Sequence, residues 1–245
     1  VIKNVNDRIK EKFVAAIKDG LNETRLKAQI EYKEINNAIH FEKMDNIANS
    51  LINAFKFESN YRIVKLKRGS YIVVLIFDSE NKILFSALSH SRFETLLKRK
   101  SHLKTHYIDA LVDFNISIGF KRVQQVIDES FFEKNNDEIN KIKEQITDVL
   151  NGEIPERYVT VCFEMERFSL CNVEAVLTSE HFEVIERDNW SDLIEIDYND
   201  VIYENSISNE DSEELNISIK SEILNQINSS DDLEIPIKDQ IKENS

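Results

Sequence analysis

Apolar side chains recur through the first 57 residues at three- to four-residue steps. Ile2, Val5, Ile9, Phe13 and Ile17 form one stripe that stops at Gly20, and Met44, Ile47, Ala48, Leu51, Ile52 and Phe55 form a second that ends near the turn signal Glu58-Ser59-Asn60. This spacing predicts two amphipathic helices that turn their stripes into a core, the first closed by its glycine. From Tyr61 the period shortens to two. Val64 and Leu66 alternate with Lys65 and Lys67, Gly69-Ser70 interrupts, and Tyr71 to Phe77 is apolar at every position, as in a strand buried on both faces. Asp78-Ser79-Glu80-Asn81 supplies a turn and Ile83 to Leu88 a third strand, so residues 61–89 are predicted to form a three-stranded antiparallel meander.

Helical periodicity resumes near Ser91, in pieces around 91–100, 103–114, 120–133 and 136–151; Val123, Val126, Ile127 and Phe131 make the clearest stripe. Gly119, then Gly152 with Pro155, punctuate this stretch. Tyr158 to Met165 alternates, with Val159, Val161 and Phe163 on one side, and a second alternating run spans Phe168 to Leu177, which reads as a hairpin. Phe182 to Ile185 adds a last short strand. The expected fold class is α+β: N-terminal helices (1–57), the meander (61–89), a helical middle (91–151) and C-terminal hairpin strands (158–187) in one globular region, 1–190. Residues 191–245 read as an acidic, largely disordered tail. From Asp188 onward there are 16 Asp+Glu against 3 Lys with few large apolar side chains, too little buriable surface to offset chain entropy.

Charge divides the chain lengthwise. Residues 1–122 carry 22 Lys+Arg against 14 Asp+Glu, whereas residues 123–245 carry 9 against 31. An overall net charge of −14 thus conceals a basic half, and segregation on this scale bears on partners and self-interaction, not on fold. The two cysteines, Cys162 and Cys171, suit a reducing cytoplasmic setting as free, half-buried thiols on the two facing strands of the hairpin. The longest apolar run, Tyr71 to Phe77, is far short of the roughly 20 residues that span a bilayer, so a soluble protein without a membrane partner is expected. Only four glycines occur, none in a dinucleotide-binding or phosphate-cradling pattern, and no cofactor is expected. A serine-nucleophile elbow is also missing.

Three constellations carry candidate chemistry. Lys65, Lys67 and Arg68 leave the first strand, and Arg92, Lys98, Arg99, Lys100 and Lys104 follow the third; gathered on one side, with Tyr71, Phe93, His102 and His106 nearby, these cations would bind phosphates and stack bases. Asp78, Glu80 and Lys82 form a D-x-E-x-K run. With the order helix, three strands, helix, strand over residues 41–166, this run superficially resembles the core of the restriction-endonuclease-like superfamily. The resemblance implies a divalent-metal-dependent nuclease, in which an acidic pair holds the ion and a lysine assists the attacking water. That superfamily presents its first acid and its (D/E)-x-K on neighbouring strands, whereas all three residues here crowd one turn. Lastly, His102, His106, Asp109 and Asp113 fall at i, i+4, i+7 and i+11, one side of an unbroken helix, where two imidazoles and a carboxylate would suit zinc. Trp190, at the start of the tail, reads as a structural anchor.

The expected function is non-catalytic: a binding or regulatory protein that contacts an anionic partner, nucleic acid or acidic protein, through its basic half. The tethered acidic tail would compete for that site at high effective concentration or recruit a protein partner of its own. Two alternatives come from other classes. One is the metal-dependent nuclease, or a degenerate relative, centred on Asp78, Glu80 and Lys82; the other is a protein-directed inhibitor or DNA mimic that acts through the acidic half.

Overall fold

The computed structural model describes residues 2, 5–30, 39–69, 71–98, 106–118 and 136–195. The chain divides into two units, Val1–Glu195 and Ile196–Ser245; the second lies outside the described residues, as does the predicted helix at 120–133. Two long helices open the first unit, α1 (Asp7–Ile30) and α2 (Ile39–Phe55). Gly20 does not close α1. The buried stripe runs on through Gly20 to Leu21 and Thr24, because the missing side chain at Gly20 lets α1 meet the α2 backbone at Ile47. Beside this crossing Asn46 Nδ2 donates to Thr24 Oγ1 at 3.0 Å, and Thr24 Oγ1 donates to the Gly20 carbonyl at 2.8 Å, so the buried polar groups are paired.

The meander forms as its pattern predicts, with β1 (Tyr61–Arg68), β2 (Tyr71–Asp78) and β3 (Ile83–Ser89) antiparallel in that order. A helical crossover follows: α3 (His90–Leu97), α4 (Tyr107–Val112) with a 3₁₀ extension (Asp113–Ile118), and α5 (Asn136–Val149). The hairpin β4 (Arg157–Glu166) and β5 (Ser169–Thr178) comes next. The last strand, β6, lies at Val184–Asn189, a few residues beyond its predicted place. All six strands belong to one sheet in sequence order, and its two antiparallel halves join through parallel pairing of β3 with β4. The architecture is mixed α+β, five described helices around a six-stranded sheet.

Strand alternation sends successive side chains to opposite faces, and each face has its own core. Val74, Ile76, Phe85, Val161 and Ala175 pack under α1 and α2 with Trp190. Leu66, Leu75, Phe77, Leu84 and Tyr158 pack under α4 and α5. A smaller cluster, Phe93 with Cys162 and Val176, seats α3. The sheet is therefore a middle layer covered on both sides, which explains why β2 reads as apolar throughout.

Candidate anion-binding face and apolar cavity

The predicted basic patch is divided by the pleat of β1. Val64 and Leu66 point into the α4–α5 core. Lys65 and Lys67 alternate with them and emerge, exposed, toward the α1–α2 side, while Arg68 returns to the α4 side. As β1 ends the sheet, its two exposed lysines have a structural duty there, discouraging another strand from pairing with the open edge. Lys98, at the end of α3, lies 3.4 Å from Glu94 and is mostly exposed. Arg99, Lys100 and Lys104 lie outside the described residues.

The charges of Arg68 and Arg92 both act on Tyr107. Arg68 pairs across the β1–β2 turn with Tyr71, whose ring meets that of Tyr107 edge to face at 6.5 Å. Arg92, on α3, places Nη2 3.3 Å from Nε2 of His106, and the His106 ring lies 4.4 Å from that of Tyr107. Burial pushes the Tyr107 hydroxyl well above its usual pKa, and the charges of Arg92 and Arg68 partly offset that rise. The Nε and Nη2 of Arg68 are buried with no hydrogen-bond partner among the described residues. A guanidinium left so is costly unless it meets an acceptor.

Beside this cluster the sheet end and α2 enclose a cavity of about 390 Å³. Phe41, Met44 and Ile47 of α2 line one wall, Tyr71 and Ile72 of β2 another, and Arg92 stands with them. Phe41 is 75% exposed, Ile72 55% and Tyr71 49%, an apolar surface with Arg92 and the exposed Asp45 among its lining residues. Little along the chain announces it. Met44 belongs to the stripe expected in the core, yet it is 38% exposed. The usable signal is the placement of Tyr71-Ile72 directly after Lys67-Arg68, across a turn. Phe93, expected beside the patch, is 2% exposed in the core under α3 and has no ring face to offer a ligand.

Asp78 and Lys82 are engaged in other contacts, and Glu80 is exposed on the turn between them. Asp78 is 1% exposed and its carboxylate accepts from the backbone of Glu80 and Asn81, both at 3.0 Å, and from Asn81 Nδ2 at 2.8 Å. It is the organiser of its own turn. Lys82 donates to Glu153, which also pairs with Arg62 at 2.5 Å; hydrogen bonding from Lys82 and the charge of Arg62 hold the Glu153 carboxyl below its ordinary pKa. Apart from Asp78, β2 and β3 contain no acid, so the neighbouring-strand arrangement that the nuclease resemblance implies has no counterpart on them.

The histidine face is interrupted too. His106 sits before α4 rather than within it. Its Nδ1 accepts from Ile108 N at 3.3 Å, and Asp109 accepts from His106 N at 2.7 Å, a reciprocal cap. Asp113 pairs with Lys143 at 2.7 Å, and His102 lies outside the described residues. Among the described residues no three His, Cys, Asp or Glu side chains are grouped to hold a metal ion. Nor do the cysteines face each other: Cys162 is opposite Glu174 in the β4–β5 register, buried, with burial pushing its thiol pKa up, while Cys171 is exposed. Trp190 is 1% exposed, packs within the α1–α2 core and donates from Nε1 to Asp188 at 2.9 Å.

No described helix is long and apolar enough to cross a membrane. No curated protein and no solved structure matches the chain. One family model, described as a family of unknown function, DUF5986, matches residues 3–238. With nearly its whole length matched, the chain belongs to DUF5986.

Proposed function

We propose that the chain is a non-catalytic binding protein whose anionic partner is nucleic acid, held at the face where β1, β2, α3 and the start of α4 meet. One observation carries the reading: Arg92 meets His106, whose ring lies against Tyr107, beside the half-exposed ring of Tyr71 and the strand end that carries Arg68. Guanidinium groups suit phosphate oxygens, and an aromatic ring next to them suits a base of any sequence. The acidic segment 196–245, with 13 Asp+Glu against 3 Lys, acts in this reading as a tethered competitor that weakens binding without abolishing it. Two free thiols fit a reducing, cytoplasmic setting.

Fluorescence anisotropy with labelled single-stranded DNA tests the reading, on the full chain and on a truncation after Glu195, across a salt series. Binding should weaken steeply with salt, strengthen on truncation and fall in Arg92→Glu. Absence of binding in both forms at low salt would remove the proposal, and capture of an acidic protein instead would redirect it.

A further inference from the structure

We infer that the cavity beside Arg92 receives one nucleobase of a single-stranded nucleic acid, so that the protein holds a strand by an inserted base as well as by its phosphates. The inference rests on the nucleic-acid reading above and deepens it, since Tyr71 and Arg92 of that reading both line the cavity. Its volume, about 390 Å³, is near the lower end of the roughly 300–1,000 Å³ typical of ligand pockets. That is room for a single ring system, not for a stretch of strand.

The lining selects the class of occupant. Phe41, Met44, Tyr71 and Ile72 provide apolar and aromatic walls, which an acidic side chain or a bare phosphate cannot fill. Arg92 lines the same cavity and is in contact with His106, so a cation is at hand for the phosphate attached to an inserted base. Asp45, also in the lining, opposes entry of the phosphate itself and offers an acceptor to an amine-bearing ring. A ligand with a flat, weakly polar body and an anionic group at one end answers all three features, and a nucleotide within an unpaired strand has that form. A duplex keeps its bases stacked and paired, and extracting one costs a few kcal/mol, so the site favours single strands.

The test is anisotropy of the full chain at low salt with two labelled oligomers of equal length and phosphate count, one of deoxyadenosine and one of abasic residues. The adenine strand should bind about fivefold or more tightly, the smaller end of what stacking one base contributes. Ala48→Leu narrows the cavity and should bring the adenine strand down to the abasic level while leaving abasic binding unchanged; Tyr71→Ala removes the exposed ring and should likewise abolish the preference for adenine. Arg92→Glu should weaken both. Equal affinity of the wild-type chain for the two strands would overturn the base site while leaving phosphate binding in place, whether or not either variant folds. A preference for adenine that persists in both folded variants would also overturn it, and failure of either strand to bind would remove the nucleic-acid reading beneath it.

Discussion

A methyl group added at Gly20 would lie 2.5 Å from the Cα of Ile47 and 2.6 Å from its backbone nitrogen. No side chain can move aside to relieve that contact, since both atoms belong to the backbone of α2. Alanine in place of glycine within a helix ordinarily stabilises by about 1 kcal/mol. Here the sign reverses: Gly20→Ala must push the two helices apart and is expected to cost about 1–3 kcal/mol, as overpacking does. Urea denaturation checks it, through a lower midpoint at an unchanged slope.

Asn115 ties the helical crossover to the sheet. Fully buried on the 3₁₀ extension of α4, it donates to the carbonyls of Tyr158 and Thr178 at 2.9 and 2.8 Å and accepts from Tyr158 N at 2.7 Å. Asn115→Leu would leave these three backbone groups in an apolar setting. At about 1–3 kcal/mol for each buried group left unsatisfied, a loss of about 3 kcal/mol or more is expected. Thermal unfolding of the variant reads it directly.

Stability should respond to acid through Glu153. Its carboxyl is held below the ordinary value of 4.5 by the hydrogen bond from Lys82 and by Arg62. A carboxyl with a lowered folded-state pKa contributes stability above its unfolded value and loses it as pH falls through the folded value. Glu153→Gln should therefore melt below the wild type at pH 7. The gap should narrow as pH drops below about 4.5 and close under more acid conditions, as melting curves of the two proteins over that range will show.

The cysteines should differ in reactivity. Burial raises the Cys162 thiol pKa and removes it from solvent, whereas Cys171 is exposed, and thiolate fraction and access govern attack. Ellman's reagent should titrate a single thiol in the native protein and two in denaturant. Cys171→Ser should abolish the native reaction, and a native reaction that survives it would contradict the burial of Cys162 beneath α3.

Charge reversal distinguishes the two faces of β1. If nucleic acid binds at the Arg68–Arg92 cluster, Arg92→Glu should lower affinity about tenfold or more, as loss of charged hydrogen bonds of about 1.5–3 kcal/mol does. Lys65→Glu and Lys67→Glu, which leave β1 on the other face from Arg68, beside Val74 and Ile72, should alter it less. Equal losses in all three would assign binding to the edge of the sheet instead.

Local pattern determined most of the elements. The three-residue rhythm of α1 and α2, the two-residue rhythm of β1, β4 and β5, and the turn at Asp78 are all properties of neighbouring residues, and each is visible along the chain. Tertiary structure alone decided what those elements do to one another. Gly20 resembles a helix stop in one dimension and proves to be a crossing point, because its reason is Ile47, 27 residues away. The parallel pairing of β3 with β4 joins segments separated by the whole crossover, and no local period encodes it. The same holds for the site. Eight cations count as one patch along the sequence, but the pleat sends Lys65 and Lys67 to one face and Arg68 to the other, and helix placement brings Arg92 to His106 and leaves Phe41 and Met44 beside a cavity. Composition sets how much charge a chain carries; which charges share a surface is fixed by alternation and packing.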